Sequence, residues 1–396
     1  MSEIKVTILC DDLCDNSTYT GAHLCLPANP GEILDALERA RINNEHPDYT
    51  LVKYDCKHEY LNDMLSEKAS LYELDYLAKR LEGMSEIEKA AFEGVIKMEE
   101  APDLVKLINL TYNLSECQVL YKVHNDEQLG KFYVENEFVT ELENAPEIVL
   151  KYLDYEKVGR TYREAERGVF TGNGYVVQTE PKLELVYDGS NIPRSEDDSG
   201  YVFKLHLIKG EDCLEPEKAK GVWLKLPASE ADIASALSEL GAASFFDCIF
   251  THCRSSIPYF EDVFSESEDI DKINILSKTI SKIMDSDTVT KYKAALQYEY
   301  CTDLDFAIDI AQNLDCYTFY PSFCSPGDYG RQILLKISGL PPEDMAFKLL
   351  GFQKYGEAKM QEHKAQFTDY GLIFRNEKEF VFEFSQRPMG QQMRTM

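Results

Sequence analysis

A stretch of about twenty residues occurs twice in the chain, and this repeat constrains the fold more than any other feature. Residues 152–175 read YLDYEKVGRTYREAERGVFTGNGY, and residues 351–372 read GFQKYGEAKMQEHKAQFTDYGL. Aromatic, lysine and glycine positions agree at a constant offset of 197 residues, pairing Tyr155 with Phe352, Lys157 with Lys354, Gly159 with Gly356, Phe170 with Phe367 and Gly174 with Gly371. This agreement predicts a tandem duplication of the whole chain.

Other segments repeat at an offset close to 200. Residues 222–226 before Pro227 match residues 22–26 before Pro27, and IDIAQNL at 308–314 matches INLTYNL at 108–114. We therefore expect an elongated α+β protein in which each half has a small α+β module, a short helical bundle and a second small α+β module. The expected boundaries are 1–66, 67–116 and 117–190 in the first half, 191–200 for a linker, 201–265, 266–315 and 316–386 in the second half, and 387–396 for a loose tail.

Hydrophobic periodicity and helix-capping residues predict the individual elements. Predicted strands of the first half are residues 4–10, 22–26, 50–54, 116–121, 174–178 and 183–187. The first predicted helix begins at Pro30, is capped by Asn29 and has Ile33, Leu34 and Leu37 as its apolar face. Three more helices are predicted to follow the capping boxes Ser70-x-x-Glu73 and Ser85-x-x-Glu88 and the pair Pro102 and Asp103. The last two predicted helices span residues 126–135 and 146–154.

The charge balance limits the partners of the chain. Its 70 acidic and 41 basic residues give a net charge of −29, with 40 acidic against 20 basic residues in residues 1–200 and 30 against 21 in residues 201–396. Such a chain is repelled by DNA, RNA and anionic membranes, so a cationic partner or none is expected. The charge could also serve solubility alone. With neither a signal peptide nor an apolar run of membrane-spanning length, a cytoplasmic protein is expected, in which the 11 cysteines are mostly buried and reduced.

Few residues match the patterns of enzyme or metal sites. Cys248, His252 and Cys253 come closest to a metal motif, but their spacing fits no familiar zinc pattern, and structural cysteines in a strand are the favoured interpretation. The run Gly172-Asn173-Gly174 indicates a turn between strands rather than a phosphate loop, and Asp11, Asp12 and Asp15 lack the calcium-loop pattern. We expect no catalytic residue, no metal and no cofactor.

Carboxylates are the other candidate functional groups, and they form three clusters. These are Glu82, Glu86, Glu88, Glu93, Glu99, Glu100 and Asp103; Asp126, Glu127, Glu135, Glu137, Glu141, Glu143 and Glu147; and Glu261, Asp262, Glu266, Glu268, Asp269 and Asp271. Like charges at helical spacing destabilise a helix slightly, so stability does not explain them. A net 29 charges would match roughly 50 Å of duplex DNA. The spacing is equally compatible with solvated surfaces of ordinary helices.

Several segments of the first half resemble the ArdA type of antirestriction protein. The resemblance rests on Leu71–Ala78, the INLTYNL segment, Leu129–Glu135 and above all YLDYEKVGRT…FTGNGY, with Tyr155, Gly159, Arg160, Phe170 and Gly174 as the motif residues. It covers residues 4–190 well and residues 203–385 more faintly. In the second half Gly351 replaces Asp154 and Glu357 replaces Arg160, so that half departs from the motif at these two positions.

The resemblance implies an acidic, non-enzymatic inhibitor that imitates bent DNA. Members of that family occupy the DNA-binding groove of type I restriction–modification enzymes, protect the DNA of mobile genetic elements and usually form dimers. The implied mimic surface comprises the three acidic clusters together with Asp154 and Glu156, and direct nucleic-acid or membrane binding is not expected. A homodimer and a single chain acting as a pseudo-dimer both remain open. The alternatives are an inhibitor of another nucleic-acid enzyme, such as a CRISPR effector, a protein-interaction scaffold, and a metalloenzyme built on the cysteine pair.

Overall fold

Helices and small groups of strands alternate throughout the chain. The computed structural model describes residues 2–14, 19–99, 102–143, 145–179, 184–192, 200–261, 263–264, 268–283 and 285–386. In the first half the strands are β1 (Ile4–Cys10), β2 (Ala22–Leu26), β3 (Tyr49–Cys56), β4 (Cys117–Tyr121), β5 (Val169–Phe170) and β6 (Gly174–Gln178). The helices are α1 (Pro30–Arg39), α2 (Leu71–Glu82), α3 (Glu86–Met98), α4 (Leu104–Leu110), α5 (Asp126–Glu135), α6 (Glu147–Lys151) and α7 (Tyr155–Glu166).

The described elements of the second half follow in the same order. Its strands are β7 (Phe203–Lys209), β8 (Val222–Leu226), β9 (Cys248–Ser255), β10 (Tyr317–Tyr320), β11 (Gln366–Thr368) and β12 (Gly371–Arg375). Its helices are α8 (Glu230–Leu240), α9 (Ile270–Ser281), α10 (Ser286–Glu299), α11 (Leu304–Gln312), α12 (Pro326–Ser338), α13 (Met345–Lys348) and α14 (Phe352–His363). This recurrence is what a duplicated chain would produce, although the duplication itself stays a prediction.

The strands form small three-stranded sheets with the orders β2-β1-β3, β4-β6-β5, β8-β7-β9 and β10-β12-β11. In the last three sheets neighbouring strands are antiparallel, and β5 and β6 form the predicted hairpin across residues 172–174. Small sheets and helices together make up the fold, so the predicted α+β class is confirmed. Among the described residues, no helix combines the length and the apolar character needed to cross a bilayer.

The chain is divided into two compact units. One comprises Met1–Thr7, Leu24–Ala28 and Leu51–Arg194, and the other comprises Ile8–His23, Asn29–Thr50 and Ser195–Met396. In the first, a core that includes Leu129, Tyr133 and Tyr175 lies between α5, α7 and the β4-β6-β5 sheet. In the second, a larger core joins the β8-β7-β9 sheet to α9, α10 and α11.

The strand predicted at residues 183–187 is wrong for its described part. Residues 184–187 form no strand, and Leu183 lies outside the described residues. Their backbone groups bond instead to asparagine side chains of the INLTYNL segment. Asn109 Oδ1 accepts hydrogen bonds from the N–H groups of Val186 and Tyr187, both at 2.8 Å, and Asn113 Oδ1 accepts from Glu184 N–H at 2.8 Å. Because these side chains satisfy the backbone, the segment needs no neighbouring strand.

The second half contains the same arrangement, in which side chains of one helix accept hydrogen bonds from the backbone of a distant segment, and we call this arrangement a clamp. Asp309 Oδ1 accepts from the N–H groups of Glu383 and Phe384 at 3.0 and 2.9 Å, and Asn313 Oδ1 accepts from Val381 N–H at 2.9 Å. The clamping residues are shifted by 200 positions and the clamped residues by 197, which are the two offsets found in the sequence. The predicted loose tail at 387–396 lies outside the described residues.

Other details of the predicted helices need correction. The helix expected over residues 146–154 is shorter in the structure and consists only of α6. The residues of α6 are exposed, so no buried face extends this helix, and Asp154 caps the next helix, α7. On α1, Leu34 is exposed. Ser70 caps α2 by accepting from Glu73 N–H, but the reciprocal bond of a capping box is absent from its described cap, whereas both bonds are present at Ser85.

The repeated glycines permit close crossing of two helices. A Cβ atom on Gly159 of α7 would lie 1.8 Å from the carbonyl oxygen of Asp126, and one on Gly130 of α5 would lie 1.9 Å from that of Tyr155. In the second half Gly356 and Gly330 stand in the same relation, with 1.7 Å to Pro326 O and 2.1 Å to Phe352 O. Glycine at these positions is therefore a packing requirement.

Replacing Gly159 with alanine is expected to destabilise the protein by about 3 kcal/mol or more, since the new methyl group meets backbone that cannot move without separating α5 from α7. Denaturant unfolding followed by circular dichroism measures the loss. Gly172→Ala is the control, because its Cβ would approach only the Glu93 side chain, at 3.9 Å. Equal stability of the two variants would contradict the proposed packing role.

Candidate functional site

The first acidic cluster is largely occupied by local interactions. Glu86 pairs with Lys89 and Glu93 pairs with Lys97, at 3.0 and 2.7 Å. Glu99 pairs with Lys106, while Glu88 and Asp103 cap helices α3 and α4. Glu82 is exposed, and Glu100 lies outside the described residues. Local structure therefore explains most of this cluster without a partner molecule.

Two members of the second cluster are also paired. Asp126 accepts from Arg163 Nε at 2.7 Å and from Nη2 at 3.2 Å, and this pairing raises the pKa of Arg163. Glu127 pairs with Lys131 at 2.6 Å, one helical turn further along α5. Asp126 therefore serves the packing of α5 against α7, and Glu127 forms a pair within α5.

The remaining five carboxylates of this cluster behave differently. Glu135, Glu137, Glu141, Glu143 and Glu147 are all exposed, and within the described part of the chain none of them forms an ion pair. They lie within thirteen consecutive residues that join α5 to α6. We call residues 135–147 the acidic segment. Because local ion pairs do not neutralise it, its negative charge faces solvent.

A groove of about 500 Å³ lies beside the acidic segment. Glu141 and Asp154 line it together with Val139, Leu153 and Val158. The Tyr162 hydroxyl donates to Glu141 Oε2 at 3.4 Å, and burial together with this carboxylate raises the pKa of Tyr162. The groove is thus lined both by apolar side chains and by the carboxylates of Glu141 and Asp154.

Large apolar side chains are exposed around the same segment. Phe138 is 56% exposed, Ile148 is 61% exposed and Tyr152 is 76% exposed. These three residues are not among the functional residues predicted from the sequence. The signal that could have found them is a run of apolar residues at 148–150 in a helix too short to bury them. Exposed apolar groups rimmed by charges are typical of surfaces that bind another protein.

The motif residues have structural roles. Asp154 caps α7 by accepting from Lys157 N–H at 3.1 Å, and Glu156 pairs with Arg160 one turn later. Arg160 also approaches Asp126, at 3.8 Å. In the second half Gly351 supplies no side-chain cap to α14, and Glu357 accepts from Gln353 at 2.8 Å instead. The replaced residues therefore change local capping and pairing.

The other motif positions shape the hairpin that follows α7. Phe170 packs on Tyr175 with ring centroids 5.3 Å apart. Gly174 has φ +151°, a conformation that favours glycine. Tyr155 places its ring 5.9 Å from Lys131 Nζ.

The third cluster is only partly described. Glu261 accepts from Ser255 N–H at 2.7 Å, and Asp269 caps α9. Glu268 is half-buried and Asp271 exposed, while Asp262 and Glu266 lie outside the described residues. Of its four described members, Asp269 and Asp271 are exposed, whereas Glu261 and Glu268 are half-buried.

The candidate metal residues are not assembled into a site. His252 and Cys253 are neighbours on β9, where successive side chains point to opposite faces, and Cys253 packs against the core. Among the described residues, no group of three or more His, Cys, Asp or Glu side chains could hold a metal ion. Asp15 lies outside those residues, and Asp11 and Asp12 bond to Thr50 and His46.

The expected burial of the cysteines is only partly confirmed. Five are buried and three are half-buried, whereas Cys14, Cys25 and Cys213 are exposed.

These features define a class of acidic α+β protein that exposes a run of carboxylates beside apolar side chains. Residues 15–177 match the family model of the ArdA antirestriction proteins. Through these residues, which make up less than half of the chain, it is similar to the antirestriction proteins of that family. No curated protein sequence matches it.

Proposed function

We propose that this protein is a DNA-mimic inhibitor that occupies the DNA-binding groove of a type I restriction–modification enzyme. In this role it protects the DNA of a mobile genetic element and catalyses no reaction. The observation that carries the proposal is the acidic segment, whose five exposed glutamates have no ion pair among the described residues. It lies inside the range that matches the antirestriction family.

The proposed mechanism is competitive binding. A DNA-binding groove holds phosphates with lysine and arginine side chains, and carboxylates can accept the same charge-assisted hydrogen bonds. The acidic segment begins at the last residue of α5 and ends at the first residue of α6, so the backbone is ordered at both of its ends before binding. The apolar side chains Phe138, Ile148 and Tyr152 would add contact area that DNA lacks. No cofactor takes part.

Neutralising the acidic segment is expected to weaken inhibition at least tenfold, because five charge pairs are lost together. The test variant replaces its five glutamates, Glu135, Glu137, Glu141, Glu143 and Glu147, with glutamine. Inhibition of a purified type I enzyme is measured at several salt concentrations, alongside protection of a plasmid in a restricting host. The wild-type inhibition constant should rise steeply with salt.

The matched control removes the same number of charges from exposed positions of the second half, namely Glu211, Glu215, Glu217, Glu230 and Glu239. Both variants then carry the same net charge. The proposal fails if both variants inhibit equally well, or if the inhibition constant does not change with salt.

Two alternatives use the same surface. An inhibitor of another nucleic-acid enzyme, such as a CRISPR effector, would show the same charge dependence on a different target, and direct binding assays separate the two. A protein-interaction scaffold is favoured by the exposed side chains of Phe138, Ile148 and Tyr152. Its binding would be insensitive to salt and would weaken when these residues become serine.

We further propose that one chain supplies what the family builds from two subunits. The support is the recurrence of the described elements in the same order in both halves. Sedimentation of the full chain should then give the mass of a monomer, 45.3 kDa. A stable dimer at working concentration would contradict this proposal and leave the inhibitory one untouched.

A further inference from the structure

Arg41 is a buried arginine that forms no ion pair with any residue the structure describes. It is only 7% exposed. Its Nη1 and Nη2 donate to the backbone oxygens of Asp369 and Thr368, and its Nε has no hydrogen-bond partner in the described part of the chain. Carbonyl oxygens accept these hydrogen bonds but carry no net charge. Because a buried charge without a counter-ion destabilises a protein, folding alone does not explain this residue.

The groups closest to Arg41 do not supply a counter-ion. Burial lowers the pKa of Arg41 itself. Cys324 and Tyr19 lie near it, but burial raises the pKa of both groups, that of Tyr19 to about 12, so neither is an anion at pH 7. The carboxylate of Asp369 accepts from Gln297 Nε2 at 2.7 Å instead. The positive charge of Arg41 is therefore not neutralised by the residues around it.

The backbone of Arg41 also indicates a role for its side chain. Arg41 has φ +64°, a left-handed conformation that favours glycine. The matching residue of the second half is Gly241, with φ +68°. Both residues end a helix in the same way, because the next residue donates its N–H to the carbonyl oxygen of residue 37 or 237, at 2.9 and 3.0 Å. An arginine where glycine fits more easily is typical of a functional position.

Arg41 lines a small polar cavity of about 200 Å³. Arg39 and the hydroxyl-bearing Thr20 line it as well, and Asp369 contributes the carboxylate of its described lining. Arg39 already pairs with Asp35, at 2.8 Å. Two arginines against one carboxylate make this lining positive, although the chain as a whole has a net charge of −29. The cavity therefore attracts an anion locally.

A second cavity, of about 630 Å³, also reaches Arg41. Its lining includes the carboxylates of Glu38, Glu45 and Asp287, against Lys291 as the other cation. An anion is repelled by such a lining. The smaller cavity is therefore the one that suits an anionic ligand.

We propose that the smaller cavity, which we call the Arg41 cavity, binds a phosphate group. The planar guanidinium group donates several hydrogen bonds in a geometry that matches phosphate oxygens. A volume of about 200 Å³ admits one phosphate group rather than a nucleic-acid strand. The proposal is independent of the inhibitory function, because the acidic segment belongs to the other compact unit. Since the chain is acidic overall, we expect modest affinity that weakens as salt is added.

Phosphorus NMR tests the proposal on the full chain. The protein is titrated into inorganic phosphate and, separately, into adenosine monophosphate, with sodium chloride keeping the ionic strength constant. We expect saturable broadening of the phosphorus signal. Broadening with inorganic phosphate alone would identify the free anion as the ligand, and broadening with adenosine monophosphate would identify the phosphate group of a larger molecule. If neither signal broadens saturably, the proposal is overturned.

Arg41→Gly is the decisive variant, because glycine suits the backbone at this position, as Gly241 shows. Phosphate binding should fall about tenfold or more when the guanidinium group is removed. Arg167→Gly is the matched control, since Arg167 is exposed, ends α7 with φ +58° and loses the same charge. It should bind phosphate as the wild type does. Equal binding by the two glycine variants would overturn the proposal.

A second variant keeps the test decisive if Arg41→Gly does not fold, which circular dichroism would show. Arg39→Gln removes the other positive charge of the Arg41 cavity, while its amide group retains a donor for Asp35. Phosphate binding should fall about threefold, because the cavity becomes less positive. Binding equal to that of the wild type would contradict the proposed site.

Discussion

Replacing Lys293 with methionine is expected to destabilise the protein by about 3–5 kcal/mol, because it removes the buried cation that two buried carboxylates share. Lys293 on α10 is only 1% exposed. Its Nζ lies 3.0 Å from Asp35 Oδ1 and 2.6 Å from Glu38 Oε2, both on α1. Tyr370 donates to the same Asp35 oxygen at 2.7 Å. Thermal and denaturant unfolding of the full chain measure the loss.

The loss should depend on pH in a defined direction. Burial alone would raise the pKa of Asp35, but Lys293 and hydrogen bonds from Tyr370 and Arg39 hold it below its ordinary value. Burial raises the pKa of Glu38 even with Lys293 beside it. Without the ammonium, both pKa values rise relative to the wild type, so the folded variant binds more protons than the folded wild type as the pH falls. The loss of folding stability in the variant, relative to the wild type, is therefore greatest near pH 7 and becomes smaller as the pH falls toward about 4.

Lys278→Met is the matched control, because Lys278 is exposed on α9 and the same atoms are removed. It should change stability little at any pH. A Lys293 variant as stable as this control, or one whose deficit grows on acidification, would contradict the buried ion-pair account.

The same contacts bear on how the chain can be divided. Asp35 and Glu38 precede residue 200, Lys293 and Tyr370 follow it, and all four belong to one compact unit. Arg41 likewise donates to the backbone oxygens of Thr368 and Asp369. If the two halves were expressed as separate proteins divided near residue 200, these contacts would be lost. A plasmid-protection assay with the separate halves would therefore test folding as well as function. Point variants of the full chain are the cleaner experiment.

Local signals in the sequence predicted most of the elements. The strand Ile4–Cys10 and the helix Asp126–Glu135 are predicted with their observed bounds, because the signals for such elements lie in residues that are close in the sequence. Helix α1 was predicted with Leu34 on its buried face. The structure buries Asp35 and Glu38 instead, since their partner lies more than 250 residues away in the chain. No local pattern carries that information.

The candidate site was predictable to a similar extent. The acidic clusters were visible in the composition, and the pairs Glu93–Lys97 and Glu127–Lys131 follow from helical spacing. When carboxylates that have such a lysine partner are excluded from the second cluster, the glutamates of the acidic segment remain as candidates. The Asp126–Arg163 pair could not be inferred in this way, because it depends on the crossing of α5 and α7. Whether the segment binds an enzyme stays a proposal.

Replacing Asp309 with alanine is expected to cost about 3 kcal/mol or more, because several backbone donors lose a buried acceptor at once. Asp309 is fully buried on α11. Besides the two bonds of Oδ1, its Oδ2 accepts from Ser385 N–H at 2.8 Å and from Ser385 Oγ at 2.6 Å. Denaturant unfolding measures the global loss, and hydrogen exchange should show faster exchange of the Glu383, Phe384 and Ser385 amides.

Asp309→Asn separates the two oxygens, because the first half already uses an asparagine, Asn109, at the matching position. The asparagine can keep the bonds to Glu383 and Phe384 through its single oxygen, but its amide group opposes the donor at Ser385 N–H. Its loss of stability should therefore fall between those of the wild type and the alanine variant. Ser385→Ala removes only one hydroxyl bond and should cost about 1 kcal/mol. If the amides of residues 383–385 exchange no faster in Asp309→Ala than in the wild type, the Asp309 side chain does not hold this segment. The clamp role of Asn109, the matching residue of the first half, would then be contradicted as well.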